Sequence, residues 1–65
     1  MMDFIDKEVV YLIKDIIQQI NIKNVNIYDL SNRLLLEPNY LLHSLRNPKR
    51  NISYYYEILE ELSCF

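Results

Sequence analysis

Four side chains between positions 39 and 46 recur at spacings of three and four residues: Asn39, Leu42, His43 and Arg46. Residues with these spacings lie on one side of a helix. An arginine can make two hydrogen bonds to guanine, an asparagine can pair with adenine, and an exposed leucine can touch the methyl group of thymine. This side of the helix therefore has the chemistry needed to read base edges.

Each polar residue of this set also has a plainer explanation. Asn39 can satisfy backbone groups of the first helical turn, His43 can be an ordinary surface residue, and Arg46 can pair with a carboxylate. Leu41 and Leu45 alternate with these residues in the sequence and have the spacing of core residues on the opposite side of the same helix. Because the polar residues share one face, recognition of a partner is the better interpretation of the set.

The positive charge of the chain is concentrated around this segment. The net charge is −2, but residues 33–50 hold four basic side chains against Glu37 alone. We expect Arg33, Lys49 and Arg50, which lie at the flanks of the predicted two-helix motif, to contact phosphates and set the register. Glu37 opposes a DNA interpretation, because it stands at or just before a helix start that would otherwise attract phosphate.

Three consecutive tyrosines near the C-terminus cannot all face inward on one helix. We expect Tyr55 to pack in the core. Tyr54 or Tyr56 is then left for solvent, a backbone phosphate or a second chain. Since tyrosine is enriched at protein interfaces, both are candidates for a dimer or partner contact.

Catalysis is not expected, because the chain has one histidine, one cysteine and no pair of carboxylates on a predicted apolar face. Glu57, Glu60 and Glu61 have the spacing of a solvated helix face rather than of an acid–base pair or a metal site. The sequence therefore predicts a protein that is not an enzyme and that has no catalytic residue, metal or cofactor.

The remaining composition indicates a soluble protein of the cytoplasm. The single cysteine, Cys64, cannot form an internal disulfide, which fits a reducing compartment. No stretch approaches the roughly 18 consecutive apolar residues of a membrane span. The start of the chain, with Asp3 and Asp6, lacks the basic leader of a signal peptide. We expect no membrane partner.

The hydrophobic pattern predicts a single all-α domain over residues 1–65, a small four-helix domain with a helix-turn-helix motif. A long helix is expected at about 3–21, the two motif helices at about 27–34 and 38–46, and a last helix at about 53–62. Seven apolar residues follow the helical period in the long helix: Ile5, Val9, Leu12, Ile13, Ile16, Ile17 and Ile20.

Turn and cap residues set the predicted boundaries of the helices. Residues 21–26 form a connector that ends in Asn26, an N-cap for the first motif helix. Residues 35–37 make the turn of the motif, and Pro38 suits the first position of its second helix. Asn47 ends that helix because it precedes Pro48. Ser53 is expected to cap the last helix.

The motif resembles the first helix-turn-helix half of transcriptional regulators of the AraC/XylS family. The resemblance implies a small DNA-binding transcriptional regulator that reads the major groove with the 38–46 helix, as a dimer, because a single module offers a limited interface. The resemblance covers most of the chain, from about Ile5 to Tyr55. It is carried by residues 27–34, Leu36, Pro38-Asn39-Tyr40-Leu41, Leu45-Arg46, and Asn51-Ile52-Ser53 with Tyr55.

The Cro/CI-like (XRE) repressors are the second family that the chain is similar to, through Leu30-Ser31, Arg33-Leu34 and the basic loop 47–53. That group usually has glycine where this chain has Leu35, and both families usually have a large apolar residue where it has Ser44.

A different function also fits the acidic balance, Glu37, Leu42 and Tyr54. It is a phage- or plasmid-type inhibitor, such as an antirepressor or anti-defence factor, that binds a protein target with the same fold.

Overall fold

The computed structural model describes residues 7–65, which contain four α-helices and no β-strand. The helices are α1 (Lys7–Lys23), α2 (Ile27–Leu34), α3 (Pro38–Arg46) and α4 (Ile52–Leu62). The predicted all-α class with four helices is confirmed, and the bounds predicted for α2 and α3 agree with the structure. The expected start of the long helix near residue 3, with Asp3, Ile5 and Asp6, lies outside the described residues.

The end of α1 differs from the prediction, because the helix continues to Lys23 instead of ending near residue 21. It stops where Asn24 adopts a left-handed conformation with φ 55°, which asparagine tolerates better than most residues. The Val25 amide then donates to the Ile20 carbonyl at 3.0 Å, closing the end of the helix. Lys23 also donates to the Leu62 carbonyl at 2.9 Å, so contacts with α4 hold a segment whose local preference is not helical.

The predicted N-cap of α2 is confirmed and that of α4 is wrong. Asn26 accepts a hydrogen bond from the Tyr28 amide at 2.7 Å. In α4 the cap is Asn51, whose side chain accepts from the Tyr54 amide at 3.3 Å, while Ser53 already lies in the first turn. Two good cap residues, separated by Ile52, compete here, and the backbone that leaves the Asn47-Pro48 turn places the earlier one at the start of the helix.

The core lies where α4 packs along α1 and against α2. Tyr56, in the second turn of α4, donates to Glu8 in the first turn of α1, and the ends of the two helices meet at Leu62 and Lys23, so the two helices run in the same direction. Ile17 follows the helical period of the other apolar residues of α1, but its side chain is exposed. No helix within the described residues is long and apolar enough to cross a bilayer. The buried apolar residues are Val9, Leu12, Ile13, Ile16, Leu30, Leu41, Leu45, Tyr55, Ile58 and Leu62.

A three-residue turn joins α2 to α3. Its first residue, Leu35, has φ 59° and ψ 40°, a left-handed conformation that suits glycine, and its side chain is 91% exposed. The Leu36 amide donates to the Ser31 carbonyl at 2.9 Å, which satisfies the end of α2 and sends the chain back toward the core. The turn is therefore closed by a residue that strains its backbone without burying its side chain.

Replacing Leu35 with glycine should raise the free energy of unfolding by about 0.5–1 kcal/mol, because the left-handed penalty disappears and little buried surface is lost. Urea denaturation followed by far-UV circular dichroism measures the change. Leu35→Ala is the matched control, since it removes the same exposed side chain but keeps the penalty. Equal stability of the two variants would contradict the strain at this turn.

Candidate nucleic-acid interface

Helix α3 has one buried and one exposed side, as predicted. Leu41, Ser44 and Leu45 are buried. Among the base-reading candidates, Asn39, His43 and Arg46 are exposed on the other side, and Leu42 is half-buried at its margin. The structure thus brings all four candidates onto the side of α3 that faces away from the core, with three of them open to solvent.

A buried polar network holds the inner side of α3 against α4. The Ser44 hydroxyl donates to the Leu41 carbonyl at 2.7 Å, and the Tyr54 hydroxyl donates in turn to Ser44 Oγ at 2.6 Å. The Tyr55 hydroxyl donates to the Ser44 carbonyl at 2.8 Å and accepts from the Lys49 amide at 2.9 Å. These bonds tie the helix, the following loop and the start of α4 together around one serine.

The two tyrosines of this network are neutral hydrogen-bond donors. Burial raises the pKa of Tyr54 and of Tyr55 above the ordinary value, so both phenols keep their protons. The Tyr54 ring stands edge-on to the rings of Tyr55 and Tyr40, with centroids at 5.1 and 5.9 Å. The position of α3 relative to α4 is therefore set by directional bonds as well as by apolar packing.

The outward side chains of α3 differ in how far they are engaged. The side chains of Asn39 and Arg46 make no hydrogen bond or ion pair with any other residue between 7 and 65. The side-chain nitrogen of Asn47, Nδ2, lies 3.2 Å from His43 Nδ1 and 3.3 Å from the His43 carbonyl oxygen. When Nδ1 accepts this hydrogen bond, Nε2 carries the proton and is available as a donor. The face thus offers a guanidinium, an amide and an imidazole N–H.

The phosphate-contact candidates do not lie together. Lys49 and Arg50 follow the C-terminal end of α3 in the chain. The Lys49 side chain reaches back along the helix, with its Nζ 5.1 Å from the centre of the Tyr40 ring in the first turn, and Arg50 is exposed. Arg33 lies instead at the far end of α4, where it pairs with Glu61 at 3.3 Å and stacks on Phe65 at 4.9 Å. The positive edge of the candidate surface is therefore built from Lys49 and Arg50, and a carboxylate offsets the charge of Arg33.

The tyrosine candidates for a partner contact also separate. Tyr54 is half-buried within the network described above, whereas Tyr56 is exposed and donates a hydrogen bond to Glu8. That bond is the main reason why the pKa of Tyr56 is raised.

Sequence reasoning missed the network around Ser44. The only available signal was a serine at a helical position where its neighbours Leu41 and Leu45 face inward.

Glu37 is the N-cap residue of α3, and its side chain makes no capping hydrogen bond. Pro38 follows at the first position of the helix, so one of the unpaired amides of this helix start is absent. The carboxylate therefore stands where an incoming phosphate would meet the positive end of the helix. It is the feature of the surface least favourable to DNA.

Glu37→Ser should improve both folding and DNA binding. Serine can accept a hydrogen bond from an amide of the first turn, which stabilises a helix by about 1 kcal/mol, and the negative charge is lost. Glu37→Gln is the matched control, because it removes the charge but adds no favoured cap. We expect thermal denaturation to separate the two variants, while their affinity for duplex DNA rises to a similar extent. Unchanged affinity in both would show that phosphate does not approach this end of α3.

The described part of the chain presents no other arrangement with site-like chemistry. Among residues 7–65, no three His, Cys, Asp or Glu side chains come close enough to hold a metal ion, and Cys64 is a free, exposed thiol. The exposed side of α3 with Lys49 and Arg50 is therefore the candidate site. Comparison of the chain with protein-family models, with curated proteins and with solved structures gives no match.

Proposed function

We propose that this protein is a small DNA-binding transcriptional regulator that acts as a dimer. In this proposal, α2 and α3 form a helix-turn-helix motif and α3 enters the major groove. Asn39, His43 and Arg46 contact base edges, with Leu42 at the margin of the contact. Lys49 and Arg50 hold the phosphate backbone beside them.

One observation carries the proposal: α3 is held rigidly on one side and presents unengaged hydrogen-bonding groups on the other. The Ser44 network fixes the orientation of the helix. Arg46 and Asn39 remain free of bonds to other residues in the range 7–65. Side chains that recognise bases are most effective when the element carrying them does not have to be ordered on binding.

Selection from a library of randomised DNA duplexes tests the proposal, followed by binding measurements on the enriched sequence by fluorescence anisotropy. We expect enrichment of a defined sequence and an affinity that falls with salt concentration, with a log–log slope of about −2 to −4 for the few phosphates within reach of one or two copies. Failure to enrich any sequence, together with no binding at low salt, would exclude the proposal.

A protein-binding inhibitor is the second candidate function, and the turn between α2 and α3 favours it. Leu35 is 91% exposed at the cost of a strained backbone, and the carboxylate of Glu37 follows two residues later. This function predicts co-purification with a host protein that survives nuclease treatment. It also predicts that Leu35→Ser weakens this association while Arg46→Ala does not, the reverse of the order expected for DNA.

A further inference from the structure

The outer face of α1 carries two large apolar side chains that no other helix within residues 7–65 covers. Tyr11 is 67% exposed and Ile22 is 69% exposed. They are separated by eleven positions, which is close to three turns of helix, so they lie on one line along the axis, with Gln18 between them. We call Tyr11, Gln18 and Ile22 the outer stripe. It lies opposite the residues by which α1 packs into the core, such as Val9 and Ile16.

Charges of opposite sign follow the two edges of the outer stripe. Because consecutive residues on a helix are rotated by about 100°, Lys7 and Lys14 fall on one edge and Glu8 and Asp15 on the other. Within each pair the spacing is seven residues, so the pattern repeats along the helix. A basic edge and an acidic edge thus run side by side along an exposed apolar line.

We propose that the outer stripe is the surface through which two copies of this chain associate, with their α1 helices side by side and pointing in the same direction about a twofold axis. Tyr11, Gln18 and Ile22 then face the same residues of the second copy. The exposed apolar surface at both ends of the stripe is buried, and the interface is self-complementary as twofold symmetry requires.

The charges select the direction of the pairing. In a parallel twofold pair, the basic edge of one helix faces the acidic edge of the other, so Lys14 lies beside Asp15 of the second copy, and this contact occurs twice. In an antiparallel pair, like edges face each other and the same side chains repel. Glu8 already accepts a hydrogen bond from Tyr56, so Lys14 and Asp15 are the pair that selects the direction.

The contact is small, and the association should be weak and reversible. A helix of 17 residues is about 25 Å long. One stripe of it buries less than the roughly 800 Å² per partner of a standard interface. This inference extends the proposed function by assigning its dimer surface and rests on it for biological meaning. Its test contains no DNA, so that either can fail without the other.

Sedimentation equilibrium of the full chain over increasing protein concentration measures the association. We expect the average mass to rise toward that of two chains, and Ile22→Glu to keep the protein monomeric over the same range. Tyr28→Glu is the matched control, because Tyr28 is 67% exposed on α2, outside the stripe. A monomer at all concentrations, or equal effects of the two substitutions, would overturn the proposal.

Charge exchange then tests the direction. Lys14→Asp or Asp15→Lys alone should weaken association about tenfold, since each places like charges together at two symmetric contacts. The double variant should recover most of the loss. In a Cys64→Ser background, Gln18→Cys should form an interchain disulfide on mild oxidation, because both thiols lie near the twofold axis. Absence of recovery, or of the disulfide, would overturn the parallel arrangement.

Discussion

Replacing Ser44 with leucine should lower the free energy of unfolding by about half or more. The expected loss is about 2–6 kcal/mol, the sum of about 1–3 kcal/mol for overpacking and about 1–3 kcal/mol for leaving buried polar groups unpaired. A folded domain of this length has a total stability of only about 3–10 kcal/mol. At the middle of both ranges, the substitution therefore removes more than half of the free energy of unfolding.

The loss is expected because the space beside the small Ser44 side chain is already filled by the Tyr54 hydroxyl. Ser44 is fully buried. Its hydroxyl oxygen accepts a hydrogen bond from the Tyr54 hydroxyl at 2.6 Å, and its carbonyl oxygen accepts one from the Tyr55 hydroxyl at 2.8 Å. A leucine side chain would occupy the position of the Tyr54 oxygen and force α3 and α4 apart.

Urea denaturation followed by circular dichroism measures the effect, with Ser44→Ala as the matched control. Alanine adds no volume and removes only the hydroxyl, so its loss should be limited to the about 1–3 kcal/mol of the unpaired polar groups. Tyr54→Phe should cost a similar amount, because it removes the other partner of the same bond. If leucine at position 44 is tolerated as well as alanine, the network does not determine how α3 sits on α4.

Arg46→Ala should lower the affinity for the selected DNA sequence by about 5- to 150-fold, corresponding to about 1–3 kcal/mol for the loss of a bidentate contact to guanine. Folding should be unaffected, since Arg46 is exposed and makes no bond to another residue of the described chain. The change should also relax sequence preference at one base pair rather than weaken binding to all duplexes equally. Fluorescence anisotropy on the selected duplex and on single-base variants of it measures both effects.

Arg33→Ala is the matched control for charge. It removes the same positive charge from a residue that is paired with Glu61 at the other end of α4, and exposed pairs of this kind contribute about 0–1 kcal/mol to stability. We expect its effect on affinity to stay below about threefold, as expected for a distant, screened charge. Equal losses in the two variants would indicate non-specific attraction to DNA and would contradict base reading by α3.

Local sequence chemistry determined most of the secondary structure. The bounds of α2 and α3 follow from Asn26 as a cap, from Pro38 at a first helical position and from the Asn47-Pro48 end, all of which act over a few residues. The helical period also identified Leu41 and Leu45 as core residues and Asn39, His43 and Arg46 as outward ones. These predictions succeeded because capping and amphipathic spacing depend on near neighbours along the chain.

Only the tertiary structure decided the features that depend on residues distant in sequence. Tertiary contacts extend α1 to Lys23, whose side chain donates a hydrogen bond to the Leu62 carbonyl in α4. Ile17 is exposed, although it has the helical spacing of the core residues. The tertiary structure placed Arg33 beside Glu61, away from the other basic candidates. It also turned Ser44 from an unexplained small residue into the centre of a buried network. Helical periodicity shows which sides are apolar, but the packing partner of each side is set by where the helices lie in space.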